Sequence, residues 1–126
     1  MGEFTDRVKG AAKEAIGEMK HAEAVIERML FLDGTPSLQE LFPLNIGQNV
    51  KQMHENDLAL EHLAIARLNK AVAAAVAAGD NGSRDLFESI LKDEEGHADF
   101  LEAQLTMIEQ MGLPNYLMAQ IEKEGA

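Results

Sequence analysis

Apolar residues recur at steps of three and four along most of the chain, which is the spacing of one face of an α-helix. This pattern predicts a long helix over Thr5–Leu32, a second over Gln48–Ala78, and a third that is capped by Ser83 and ends at Met111. A short amphipathic helix over Pro114–Glu122 follows. Because no stretch alternates with the period of a β-strand, the sequence predicts an all-α fold of three long helices and one short one.

A long connection separates the first two predicted helices. It runs from Asp33 to about Gly47, and Pro36 within it cannot continue the first helix. The segment Ser37–Glu40 has the form of a capping box for one short helical turn. Such a connection is long enough to run along the side of a helical bundle, so the second helix is able to lie parallel to the first.

An acidic residue interrupts the apolar stripe of each long helix. Glu18 lies on the stripe of the first helix, and Glu61 lies between Leu58 and Ile65 on the second. The stripe of the third helix consists of Phe87, Ile90, Glu94, Ala98, Leu101, Leu105 and Ile108. Because a buried carboxylate is costly without a partner, we expect these three acids to share a compensating cation.

Two of these acids are each followed by a histidine three residues later. His21 follows Glu18, and His97 follows Glu94, so each pair lies one turn apart on the same helix face. One such motif is commonplace on an acidic helix. Two of them on separate core faces, together with Glu61, predict a metal site of the kind found in four-helix di-iron carboxylate proteins. Carboxylate and imidazole together suit iron or manganese better than calcium or magnesium.

Composition and charge narrow the classes of function. The 126 residues are 46% hydrophobic, which suits a single domain over residues 1–126. Lys and Arg number 11 against 22 Asp and Glu, and the formal charge of -11 disfavours nucleic acid and anionic membrane as partners. The chain has no cysteine, no apolar run of membrane-spanning length and no signal-peptide pattern, so we expect a cytoplasmic protein. His54 and His62 do not form such a pair with an acid on a core stripe, and we interpret them as ordinary surface or interface residues.

Six segments, which together extend over nearly the whole chain, strongly resemble the bacterioferritin family. They are Gly17–Glu23, Ile26–Gly34, Leu44–Gly47, Asp57–Glu61, Ser83–His97 and Gly112–Leu117. The resemblance implies a ferritin-like helical bundle that assembles into a twofold dimer and a 24-subunit shell. It also implies iron storage and ferroxidase activity, in which Fe(II) is oxidised by O₂ or peroxide at a di-iron centre and kept as a ferric mineral.

The resemblance assigns roles to the residues that match its motifs. It implies that Glu18 and Glu94 bridge two irons and carry the catalysis, that His21 and His97 each bind one iron, and that Glu61 is a terminal ligand of the iron bound by His97.

Met19 gains an interpretation from the same resemblance. It lies on a different helix face from Glu18, and a methionine there is ordinarily core or interface filler. The resemblance implies that Met19 is an axial ligand of a haem b held between two subunits, one methionine from each. The residues that share its face are Ala12, Ile16, Ala22, Glu23 and Ile26.

The sequence departs from the family pattern at its start. The family has a further long helix before the first one found here, and that helix supplies a sixth metal ligand. A truncated fragment, a partner chain that supplies the helix, and a shortened relative with altered assembly are three explanations. The alternative to a ferroxidase is therefore a non-catalytic haem- or metal-binding structural subunit, or a fragment of a bacterioferritin shell. A different di-iron enzyme or peroxide scavenger is a third hypothesis, which lacks a cysteine pair for rubredoxin-type electron entry.

Overall fold

A computed structural model describes residues 2–37 and 47–125, with side chains described for residues 16–37 and 47–121, and all the regular secondary structure in these ranges is α-helix. The helices are α1 (Gly2–Phe31), α2 (Val50–Ala77), α3 (Asn81–Met111) and α4 (Leu113–Gly125). These bounds lie within three residues of the predicted ones, and no strand occurs in the described ranges. The all-α prediction is therefore confirmed. The predicted capping box at Ser37–Glu40 extends into residues outside these ranges.

The chain divides into two compact units. One comprises Met1–Glu40 with Tyr116–Ala126 and contains α1, and the other comprises Leu41–Asn115 and contains α2 and α3. Within the described residues, no helix has both the length and the apolar character that crossing a membrane would require.

Helices α2 and α3 form a hairpin because only three residues separate them. Gly79 adopts a left-handed backbone with φ of 68°, a conformation that costs glycine little. Its N–H donates to the carbonyl of Val76 at 3.1 Å, and the N–H of Asp80 donates to the carbonyl of Ala75 at 2.8 Å. This pair of hydrogen bonds is the Schellman arrangement that ends a helix and reverses the chain.

The N-cap of α3 is Asp80, and the prediction of Ser83 in that role was wrong. The Asp80 carboxylate accepts a hydrogen bond from the backbone N–H of Ser83 at 3.1 Å and another from the Ser83 hydroxyl. Because the carboxylate offers two acceptor oxygens, it satisfies both donors, and the helix starts at Asn81. Ser83 is buried in the first turn as the donor of this arrangement.

The core of the second unit follows the predicted stripe of α3. The buried residues of this helix are Ser83, Ile90, Glu94, Ala98, Leu101 and Ile108. Facing them, Leu58, Glu61, Ile65, Leu68 and Val72 of α2 are half-buried and Ala75 is buried. Met53, an apolar residue two turns before Glu61, is by contrast 51% exposed. Its position is rotated about 80° from that of Glu61, which places it on the flank of α2.

Helix α1 ends in a second Schellman arrangement. Asp33 takes the left-handed conformation with φ of 62°, and the N–H of Gly34 donates to the carbonyl of Met29 at 2.7 Å. Among the described side chains of α1, the half-buried residues are Gly17, His21, Ala24, Val25, Ile26, Arg28 and Met29.

The expectation that Glu18 is buried on a core stripe was wrong. Its side chain is 51% exposed, while that of His21 is 22% exposed. The half-buried face of α1 is centred closer to His21 and Val25 than the apolar periodicity suggested, so Glu18 and Ala22 lie at its edge.

Candidate metal centre

Glu94 is the most deeply placed acid of the centre. The stripe position predicted from the sequence is observed, and the side chain is only 5% exposed. Ile90 and Ala98, one turn to either side, are buried with it. A carboxylate in such surroundings loses most of its hydration, so its position in the fold has to be supported by a cation or hydrogen-bond donors.

His97 and Glu61 meet Glu94 at the interface of the α2–α3 hairpin. The Nδ1 atom of His97 lies 3.8 Å from Oε2 of Glu94 on the same helix and 3.7 Å from Oε1 of Glu61 on α2. The three residues offer ligand atoms that all lie within 4.8 Å of one another. Glu61 is 18% exposed and His97 is 38% exposed, so the cluster has one open side.

The donor set of this cluster fits a transition metal. Two carboxylates and one imidazole supply hard and borderline ligands in the combination that Fe(II), Mn²⁺ and Zn²⁺ accept. One divalent cation would neutralise both carboxylates, and the partial exposure of His97 leaves a route from solvent. Such a cluster can bind a cation and, with iron, stabilise its ferric state through anionic oxygen ligands.

Glu18 and His21 belong to the other unit and repeat the local geometry of the first pair. Oε2 of Glu18 lies 3.9 Å from Nδ1 of His21, compared with 3.8 Å for the same two atoms in Glu94 and His97. The two Glu-x-x-His motifs therefore hold these two atoms at nearly the same separation, although Glu18 is far more exposed than Glu94. This is what the i, i+3 spacing predicts, since such residues share a helix face.

Met19 lies on an exposed face of α1. It is 70% exposed, and Ile16 and Leu30 on the same side of the helix are 52% and 58% exposed. The interpretation of Met19 as core filler within one chain therefore fails. Its thioether is available to a ligand or to a second copy of the chain.

The other two histidines differ from each other. His54 is half-buried in α2, while His62 is exposed and its Nε2 lies 3.4 Å from Oε1 of Glu102 on α3. No pattern in the sequence indicates this partner for His62. The contact depends on the register between two helices, which apolar periodicity alone does not specify.

Comparison with known proteins agrees with this fold. The model of the ferritin-like domain family matches residues 10–111. A bacterioferritin of Mycobacterium avium is 41% identical over 113 residues, which is 90% of this chain and 71% of that protein. A bacterioferritin of Streptomyces coelicolor is 42% identical over 120 residues, or 95% of this chain and 72% of the relative. A bacterial ferritin of Synechocystis is 46% identical over 105 residues, or 82% of this chain and 67% of the relative.

The protein is a ferritin-like helical protein, because the model of that domain matches most of the length of this chain. The chain belongs to the bacterioferritin family. The resemblance inferred from the six sequence segments is thereby confirmed.

Proposed function

We propose that this protein stores iron and oxidises Fe(II) to Fe(III) at a centre to which Glu61, Glu94 and His97 contribute. The observation that carries the proposal is the cluster itself, in which two carboxylates and an imidazole from two helices offer ligand atoms within 4.8 Å of one another. Membership of the bacterioferritin family supports it.

Glu18 and His21 are proposed as further iron ligands of the same centre. Their support is the matching Glu-x-x-His geometry, 3.9 Å against 3.8 Å between equivalent atoms, and their match to the family's motif. In this proposal Glu18 and Glu94 would hold the two irons together, and Glu61 would serve the iron that His97 binds. The Glu61–His97 distance of 3.7 Å is compatible with ligation of one cation by both residues.

The proposed role of the protein is to bind Fe(II) and to stabilise the additional positive charge of Fe(III). Each Fe(II) gives up one electron to O₂ or peroxide, and the product cation carries one more positive charge. Anionic carboxylates bind the harder ferric ion more strongly than the ferrous ion, so Glu61 and Glu94 favour oxidation thermodynamically. The formal charge of -11 raises the local concentration of cations around the protein.

Met19 is proposed as an axial ligand of a haem shared by two copies of the chain. The exposed thioether of Met19 would hold the haem iron, and the exposed apolar side chains of Ile16 and Leu30 would contact the porphyrin between two subunits. Bound haem would supply one-electron transfer to stored iron. A homo-oligomer with a twofold dimer as its unit is part of the same proposal, and a 24-subunit shell is the assembly that the family resemblance implies.

Fe(II) oxidation followed by absorbance tests the ferroxidase proposal. Wild type should oxidise Fe(II) faster than buffer, and Glu94→Gln and Glu18→Ala should each reduce the rate by more than about tenfold, because each removes a charged ligand. Glu95→Gln is the matched control, since Glu95 is the exposed neighbour of Glu94 and should leave the rate unchanged. Equal rates in wild type and Glu94→Gln would refute the proposal.

The exposed face of α1 favours one alternative, a non-catalytic haem- or metal-binding subunit of a shell. In that case the protein would assemble and bind haem through Met19, but Fe(II) oxidation would not depend on Glu18. The comparison of wild type with Glu18→Ala distinguishes the two functions.

A further inference from the structure

A second side-chain pair on the α2–α3 hairpin has the composition of a metal site. His62 of α2 and Glu102 of α3 approach each other across the two helices, and each side chain is 56% exposed. Adjacent residues on a helix point about 100° apart, so His62 lies on a different face of α2 from Glu61. The pair is therefore separate from the cluster of Glu61, Glu94 and His97.

The distance within this pair is that of a long hydrogen bond, and it also matches the separation of two ligand atoms of one metal ion. Nε2 of His62 and Oε1 of Glu102 are 3.4 Å apart, whereas hydrogen bonds from N–H to oxygen usually measure about 2.7–3.2 Å. Zn²⁺ binds imidazole nitrogen and carboxylate oxygen at about 2.0–2.2 Å in tetrahedral geometry, which separates two ligand atoms by about 3.4 Å. The two atoms thus already lie at the spacing of one edge of a zinc tetrahedron.

The surroundings of the pair also favour a cation. Asp99 precedes Glu102 by one turn on α3 and is exposed, as is Glu95 one turn earlier. Their charges raise the local concentration of divalent cations. Because both ligands are open to solvent, a bound ion keeps water at its remaining positions and loses little hydration on entry. Its binding would also join α2 to α3, which stabilises the folded hairpin.

We propose that His62 and Glu102 form a surface site for a borderline divalent cation, of which Zn²⁺ is the representative. The site is distinct from the iron centre and does not depend on ferroxidase activity. Because both ligands are exposed, the ion binds reversibly and stays in contact with solvent.

Equilibrium titration with Zn²⁺ on the full chain tests the proposal. Wild type should show a class of sites that His62→Gln and Glu102→Gln each weaken by at least about tenfold, because the loss of a ligand costs no less than the loss of an outer-shell partner. Glu94→Gln should leave this class in place and remove a different one. Glu109→Gln is the matched control: it makes the same charge change two turns further along α3 and should change Zn²⁺ affinity by less than about twofold.

Two outcomes of the titration would overturn the proposal. One is a Zn²⁺ titration that His62→Gln and Glu102→Gln leave unchanged. The other is an equal loss of affinity in Glu109→Gln, which would show that only surface charge attracts the ion. Nuclear magnetic resonance with paramagnetic Ni²⁺ provides an independent measurement: the ring signals of His62 should broaden at lower Ni²⁺ concentrations than those of His54. Absence of that preference would also contradict the site.

Discussion

Replacement of Glu94 by Gln should make the metal-free protein more stable and the metal-loaded protein less stable. Without a cation, the carboxylates of Glu61 and Glu94 lie within 4.8 Å of each other and share one imidazole. Two like charges at that distance repel by about 3.5 kcal/mol if the effective dielectric constant is about 20. His97 offsets part of this repulsion. After the substitution Glu61 still has His97 as a partner, with 3.7 Å between its Oε1 and the Nδ1 of His97.

The expected gain is therefore smaller than the repulsion. Because the Gln amide is also polar and has to be accommodated in the same space, we expect the metal-free variant to be more stable by about 1–2 kcal/mol. For a chain of this length, that corresponds to an increase in Tm of about 4–8 °C. With Fe(II) at about 100 times Kd under anaerobic conditions, wild type should gain about 2.7 kcal/mol, and the variant should lose most of that gain.

Thermal unfolding followed by circular dichroism, with and without anaerobic Fe(II), measures both effects. Glu95→Gln makes the same chemical change at the neighbouring exposed position and should leave both Tm values close to those of wild type. The reasoning would be refuted if metal-free Glu94→Gln melted below wild type, or if Fe(II) stabilised the two proteins equally. The first result would mean that the Glu94 carboxylate holds the fold together without a cation.

Three further predictions concern backbone, cap and titration. Gly96→Ala should stabilise the protein by about 1 kcal/mol in denaturant unfolding, since a Cβ at this mid-helix position meets nothing within 4 Å. Gly79→Ala should destabilise it by about 1 kcal/mol, because φ at this position is 68°. Equal effects of the two substitutions would contradict the argument. Asp80→Ala should cost about 1–2 kcal/mol because α3 loses its N-cap acceptor, and a stability change within error would refute that role. Burial raises the pKa of the Tyr116 hydroxyl above 10.0, so folded stability should fall as pH rises from the unfolded-state pKa towards the higher folded-state pKa. As Tyr116 is the single tyrosine, absorbance of the tyrosinate reports it directly, and a midpoint at or below the value in denaturant would contradict the prediction.

The regular helices were predictable because their local signals agree with the tertiary structure. In α3 the apolar positions at steps of three and four include the buried Ile90, Ala98 and Leu101, so the position of Glu94 among them indicated its burial. The ends of α2 at Gly79 and of α3 at Gly112 were predictable on the same local grounds, since glycine tolerates positive φ at helix ends.

The features that were not predictable depend on packing and on choices among neighbouring donors. The face of α1 that is half-buried is not set by its own apolar residues, so Glu18 was wrongly placed on it. Both Asp80 and Ser83 are good caps, and only the entry of the chain into α3 decides between them. The pairing of His62 with Glu102 requires the register of two helices, which no single-helix pattern contains.

The most direct test of the iron centre is anomalous scattering from crystals of the full chain soaked anaerobically in Fe(II). We predict an iron peak within ligand distance, about 2.0–2.2 Å, of Glu61, Glu94 and His97, and loss of that peak in Glu94→Gln. Iron bound only elsewhere on the protein, or an unchanged peak in the variant, would contradict the assignment of these three residues to the centre.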